Sequence, residues 1–322
     1  MMCRGLKEQL TRLAMSAGAQ CVGYARAGVV SDDCVDSFSR WLSEGRNGAM
    51  GYLANYPDIR RDPRLLLDEG AEAHTVIVCA FSYYHDEVQE PGAARFAMYA
   101  HGSDYHEVLR VRLQLVVEAL VTQGHKARVC IDSAPLMERY WAVQAGVGFI
   151  GVNSQLIVPG MGSYFFLAEI VTTADLEPDE PCTRSCGHCG RCVKACPGGA
   201  IGDDGGFDAR RCLSYLTIEH RGDLPDCIGS EGELSARSLA EAMGERVYGC
   251  DECQRVCPHN CHPPQSQIDE FLLRPALKSI TREDIMQMSQ ADFSRIFTHS
   301  AVKRAKLAGL QRNAKIGLKQ KT

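Results

Sequence analysis

Four cysteines within eleven residues, Cys186, Cys189, Cys192 and Cys196, followed at once by Pro197, constrain this chain more than any other feature. The spacing is C-x2-C-x2-C-x3-C-P. Two residues between successive thiolates let the backbone wrap one face of an iron–sulfur cubane, while the fourth cysteine points away and, in proteins with two [4Fe–4S] clusters, ligates the other one. A second run, Cys250-x2-Cys253-x3-Cys257-Pro258, supplies the partner half but is one ligand short, and Cys212 is the nearest candidate for the missing position. The expected solution is cross-ligated. Cys186, Cys189, Cys192 and Cys257 hold one cluster, and Cys196, Cys212, Cys250 and Cys253 hold the other. Structural zinc also uses paired C-x2-C motifs, but it needs only four ligands and has no use for the longer run. Cys182, Cys227 and Cys261 have no assigned partner and read as buried or incidental thiols.

The compartment follows from the same residues. Sixteen cysteines in 322 residues read as metal ligands or small hydrophobes only where thiols stay reduced. The opening MMCRGLKE places charges where a signal peptide needs an apolar core, and no stretch approaches the ~20 apolar residues of a membrane span. A cytoplasmic protein with no membrane partner is the expectation. Hydrophobic residues at 45% and charged residues at 23% describe a globular chain of two or so domains. A net charge of −5 gives no whole-molecule argument for nucleic acid, yet residues 301–322 carry Lys303, Arg304, Lys306, Arg312, Lys315, Lys319 and Lys321 and no acid.

Apolar residues at helical spacing (Leu6, Leu10, Leu13, Ala14, Ala17) stop at Gly18, before a short apolar run at 21–24. Residues 75–81 (TVIVCAF) form a continuous run of buried-strand type, 108–121 an amphipathic helix, and 126–131 the next strand. A helix is expected over 137–145, with strands at 155–158 and 164–171. This alternation argues an α/β (α+β) domain over residues 1–175. The linker-like EPDEP at 177–181 introduces a ferredoxin-like two-cluster module over 176–264, and 265–322 reads as a helical, basic segment in which 295–319 is a basic helical end.

Clusters move electrons but perform no organic chemistry, so the amino-terminal domain is expected to hold a further cofactor or a substrate. No G-x-G-x-x-G follows a predicted strand, which leaves a Rossmann nucleotide site unsupported. Asp104-Tyr-His106-Glu-Val-Leu109 resembles the D-x-H-x-x-G signature of some cobalamin enzymes, but Leu109 stands at the glycine. His106 reads better as a helix-start residue with Asp104 as the cap.

Taken together, the motifs resemble those of the epoxyqueuosine reductases, cobalamin and iron–sulfur enzymes that complete queuosine at the tRNA wobble position. The matching text is RRDPRLL from Arg60, YAHGSDYH from Tyr99, DSAPLMER from Asp132, AGVGFIGVN from Ala145, CLSYLTIE from Cys212 and YGCDECQ from Tyr248. The resemblance implies cobalamin between the first domain and the cluster module, with Arg60, Asp132, Gly151, Asn153, Leu156, Tyr248 and Gly249 among its contacts. It implies Asp132 as general acid, tRNA carrying epoxyqueuosine as substrate, an external electron donor, and a monomer. Asp132 is otherwise an N-cap candidate for a helix starting near Pro135. Phe149 and Val152 stand where the family often has Trp and Lys, Gly198 replaces a usual Thr, and the helical-repeat domain of many relatives does not follow within this chain. Cobalamin-dependent reductive dehalogenases and two-cluster electron carriers are the competing readings.

Overall fold

The computed structural model describes residues 2–68, 70–225, 227–228 and 237–316. Its organising element is the strand Thr75–Ser82, all eight residues of which are buried. Along its whole length it pairs antiparallel with Phe165–Thr172, Thr75 opposite Thr172 and Ser82 opposite Phe165. Cys21–Arg26 pairs antiparallel on its other edge. Ala127–Cys130 completes the sheet, antiparallel to Phe165–Thr172.

The sheet is therefore of the α+β kind, although a continuous apolar run is the usual mark of a parallel one. The run is apolar because helices cover both faces. Ile77, Cys79 and Phe81 pack against Leu6, Leu10 and Ala14 of the helix Met2–Ser16 and against Leu109, Leu113, Val116 and Leu120. Val76, Val78 and Ala80 face Trp141 and Ala142 of the helix Glu138–Gln144. Sheet and helix close tightly at Gly23, where a Cβ would run into the Ala145 carbonyl oxygen. The helix expected over 108–121 divides at buried Leu113 into Tyr105–Arg112 and Gln114–Thr122.

The short strand Arg95–Phe96 leaves this sheet and pairs parallel with Arg246–Tyr248. Ala94, Phe96 and Ala100 thereby join a separate core with Val247, Tyr248, Leu277, Phe297, Val302 and Leu310. The helices of the cysteine-rich stretch are short, and two of them, Arg191–Ala195 and Glu252–Arg255, pack on each other. The basic helical end expected over 295–319 forms, within the described residues, as separate helical pieces. Gln290–Ile296 ends before His299, a 3-10 turn spans Ala301–Ala305, and Lys306–Ile316 follows, with positive φ at His299 and Lys306 making the breaks. Residues 317–322, with Lys319 and Lys321, lie outside the described residues. Among the described residues no helix is long and apolar enough to cross a membrane.

Candidate active site

Asp132 follows the strand Ala127–Cys130 and takes a left-handed backbone, φ 53°, an unusual conformation for a residue with a side chain. Its carboxylate is 63% exposed. Oδ2 accepts a hydrogen bond from the Tyr105 hydroxyl at 2.6 Å, and His106 Nε2 lies 3.8 Å from the same oxygen. Both partners come from the first turn of the helix Tyr105–Arg112, whose N-cap is Asp104. Asp104 Oδ1 accepts from the His106 backbone N–H at 3.0 Å and lies 2.7 Å from its Nδ1. The helix-start reading of His106 holds, and the same placement turns its other ring nitrogen toward Asp132. Tyr105 stacks on Phe166 at 4.2 Å and 7°. Burial and the neighbouring Asp132 raise its pKa well above the ordinary value, so the phenol stays protonated and donates.

The helix that Asp132 was a candidate to cap begins at Glu138 behind Met137, so capping does not account for the aspartate. Glu138 instead reaches back, its Oε1 accepting the Asp132 backbone N–H at 2.5 Å. Burial, then the charge of Asp132, pushes the Glu138 carboxyl up to about 8. Glu169 sits opposite Cys130 in the sheet, is fully buried, and has no hydrogen-bond partner on either carboxyl oxygen. Burial, then Glu138 and Asp132, holds its pKa well above the carboxylate range. Sequence reasoning did not single out Tyr105, Glu138 or Glu169. For Glu169 a signal was present: it is the lone charge in the strand FFLAEIVT.

The cysteines of both runs come together across the short helices. Cys186, Cys189, Cys192 and Cys257 line one pocket with Gly151, Val152, Asn153 and Ile157. Cys196, Cys212 and Cys250 all act electrostatically on the Cys253 thiol. Cys189 is exposed, whereas the others of these eight are partly covered. Among the described residues no three His, Cys, Asp or Glu side chains converge on a single-ion site; the first set shares the lining of one pocket. Cys182 is half-buried and Cys261 exposed, the latter donating to the Pro258 carbonyl at 2.9 Å. The Cys227 side chain lies outside the described residues.

Of the other predicted contacts, Gly151 and Asn153 border that cysteine pocket, and Asn153 Nδ2 also donates to the Cys253 carbonyl at 3.4 Å. Phe149 is buried with its ring 5.5 Å from that of His259. Leu156 is buried in the sheet-side core. Tyr248 is buried too, its hydroxyl donating to the Ala301 carbonyl at 2.7 Å, while the Gly249 N–H donates to Thr217 Oγ1 at 2.9 Å. Arg60 donates from Nε to the Asn55 carbonyl, packs its guanidinium over Phe38, and acts electrostatically on Glu138.

The basic end divides by use. Arg304 forms two hydrogen bonds with Glu219, at 2.8 and 2.9 Å, and Arg312 donates to the carbonyls of Leu216, His220 and Gly222. These two stabilise the fold. Lys303, Lys306 and Lys315 are exposed.

Comparison with known proteins places this arrangement. Residues 60–133 match the family model "Epoxyqueuosine reductase QueG, DUF1730", and residues 185–260 match a "4Fe-4S double cluster binding domain". Epoxyqueuosine reductase of Cellulophaga algicola is 34% identical over 93% of this chain and 94% of that protein. That of Leadbetterella byssophila is 35% identical over 96% and 97%. A crystal structure of epoxyqueuosine reductase with an epoxyqueuosine-modified tRNA-Tyr stem loop superimposes with a TM-score of 0.85 at 30% identity, covering 98% of this chain and 81% of that one. A Bacillus subtilis epoxyqueuosine reductase with its catalytic aspartate loop swung out of the active site gives the same TM-score, 0.85, at 30% identity. With relatives of that identity matched along nearly their whole length, and a double-cluster domain where the cysteine spacing put one, the chain belongs to the epoxyqueuosine reductase family.

Proposed function

We propose that this chain reduces the epoxide of epoxyqueuosine in tRNA to the alkene of queuosine, with Asp132 as proton donor to the departing oxygen. The reaction breaks both carbon–oxygen bonds of the epoxide, forms a carbon–carbon double bond, consumes two electrons and two protons and releases water. One observation carries the assignment: an open carboxylate held at φ 53°, gripped by the Tyr105 hydroxyl at 2.6 Å and capping nothing. A carboxylic acid so placed can donate to a leaving oxygen.

Cys186, Cys189, Cys192 and Cys257 hold one cluster on this reading, and Cys196, Cys212, Cys250 and Cys253 the other. The exposure of Cys189 supports electron entry from an external donor at the first. The acid precedes residue 175 and the cluster cysteines lie between 176 and 264, and the pairing of Arg95–Phe96 with Arg246–Tyr248 joins the two parts within one chain, as a monomeric enzyme requires. Arg60, Gly151, Asn153, Leu156 and the backbone at Tyr248 and Gly249 are the residues for cobalamin. Ile150, 48% exposed beside Gly151, offers apolar surface, and Asn153 and Arg60 offer polar groups, a combination suited to a large ring with an apolar face and an amide-bearing rim. Bound cobalamin supplies the cobalt centre through which the electron pair reaches the substrate. The residues do the rest: Tyr105 orients the acid, and Glu138 and Glu169 keep its surroundings low in charge.

The segment 131–137 has neither helix nor strand, in keeping with the swung-out aspartate loop of the Bacillus subtilis relative. The test is anaerobic turnover of epoxyqueuosine-containing tRNA by the cluster-loaded protein, with and without added cobalamin, read by nucleoside mass spectrometry. Queuosine formed only with cobalamin is the expected result. No queuosine from fully loaded protein overturns the reading.

A further inference from the structure

Two hydrogen bonds attach the Asp132 residue to the body of the protein. Tyr105 holds the side chain, and Glu138 holds the backbone N–H. The second bond has no backbone substitute. The Ser133 and Leu136 amides turn back onto Ile131 and Ala134 within the loop itself, so Glu138 is the point where the acid's peptide unit meets a helix. That helix is firmly seated, with Trp141 and Ala142 buried against the sheet.

From this geometry we infer that Glu138 is a positioning residue, the latch that holds the Asp132 loop in its inward, reactive arrangement. The inference rests on Asp132 being the acid. A residue at positive φ carries a backbone cost, and the bond to Glu138 offsets it only while the loop stays in. Losing the bond frees the loop to swing out, carrying the carboxylate from Tyr105. Asp132, Arg139, Arg60, Glu169, Tyr105 and Cys130 all interact electrostatically with Glu138. Burial and Asp132 raise the Glu138 pKa, and the bond to the Asp132 N–H needs only an acceptor oxygen. An amide oxygen can take that place.

The experiment compares Glu138→Ala with Glu138→Gln in anaerobically purified, cluster-loaded protein without cobalamin, by hydrogen exchange of the peptide covering residues 132–137. In Glu138→Ala the Asp132 amide exchanges roughly tenfold faster, the scale of one lost hydrogen bond, while Glu138→Gln exchanges as wild type. With cobalamin and tRNA added, kcat of Glu138→Ala falls by about tenfold with KM within about twofold, and Glu138→Gln recovers most of the lost kcat. Unchanged exchange in Glu138→Ala, or equally fast exchange in both variants, overturns the latch. The exchange arm is independent of the acid's chemistry: if Asp132→Asn is fully active but Glu138→Ala still loosens the loop, the acid assignment has failed and the latch has not.

Discussion

The Tyr105 hydroxyl donates to Asp132 Oδ2 across 2.6 Å, joining the first turn of a helix to a loop without regular structure. The donor is fixed before the bond forms, because its ring lies flat on Phe166 at 4.2 Å and its backbone follows the Asp104 cap. Orientation of the acid thus depends on a rigid donor, and each member of the arrangement can be tested separately.

Tyr105→Phe keeps the stacked ring and removes only the hydroxyl. Hydrogen bonds to charged groups contribute about 1.5–3 kcal/mol, so turnover should fall by roughly 10- to 100-fold with clusters intact and thermal stability little changed. Steady-state kinetics with iron analysis checks this, and activity equal to wild type would show that Tyr105 does not orient the acid.

Glu169 makes stability depend on pH. Its ordinary pKa is 4.5, and burial holds the folded value well above that, so between the two the folded state keeps a proton that the unfolded chain gives up. Stability from this source is fully present below the unfolded value and is lost as pH rises toward the folded one. Glu138, pushed up to about 8, acts in the same direction between 4.5 and about 8. Glu169→Gln cannot titrate. Its melting temperature should therefore fall less than that of wild type between pH 5 and pH 8, and identical slopes by anaerobic scanning calorimetry would contradict the assignment.

Cross-ligation predicts an exchange of damage between the cysteine runs. Cys196→Ala should lose the cluster of Cys212, Cys250 and Cys253 and keep the one built on its own run, while Cys257→Ala should do the reverse. Each variant retains about four of the roughly eight irons of two cubanes. Iron counting with EPR distinguishes the two, and loss from the variant's own run alone would refute the pairing.

Lys303, Lys306 and Lys315 are the exposed lysines of residues 301–316, and Arg304, though exposed as well, is engaged by Glu219. Deleting that segment would be a poor test, since Leu310, Asn313 and Ala314 are buried and Asn313 donates to the carbonyls of Thr217 and Val247. Substituting the three lysines by Ala should instead weaken tRNA binding and flatten its salt dependence, each lost phosphate contact reducing the slope by about 0.7–0.9. Unchanged affinity and slope would remove this face from the interface.

How far the sequence could be read varies with the kind of constraint. Cysteine spacing is local, so the two runs were legible, and the pocket of Cys186, Cys189, Cys192 and Cys257 gathers one of the sets that spacing grouped. The buried strand at Thr75–Ser82 was legible from its apolar run. Its antiparallel neighbours were not, because a run apolar on both faces reports helical cover and says nothing of strand direction. The motif beginning at Asp132 marked the proposed acid through family resemblance. The partners that hold it are long-range: Tyr105 is 27 residues away along the chain, and Glu169 becomes its neighbour only through pairing with Cys130. The basic end misled for a related reason. A count of charges cannot tell Arg304, committed to Glu219, from Lys303, which faces outward.

Asp132→Asn tests the central claim most directly. Asn keeps the side-chain shape and can still accept from Tyr105, but an amide cannot protonate a departing oxygen. The variant should retain its clusters and bind cobalamin, as absorbance can verify, while conversion of epoxyqueuosine-containing tRNA to queuosine falls by ~10²–10⁴, measured by nucleoside mass spectrometry with a strong chemical reductant. A variant that holds its cofactors and turns over within about threefold of wild type, against that ~10²-fold minimum for an essential acid, would contradict the account.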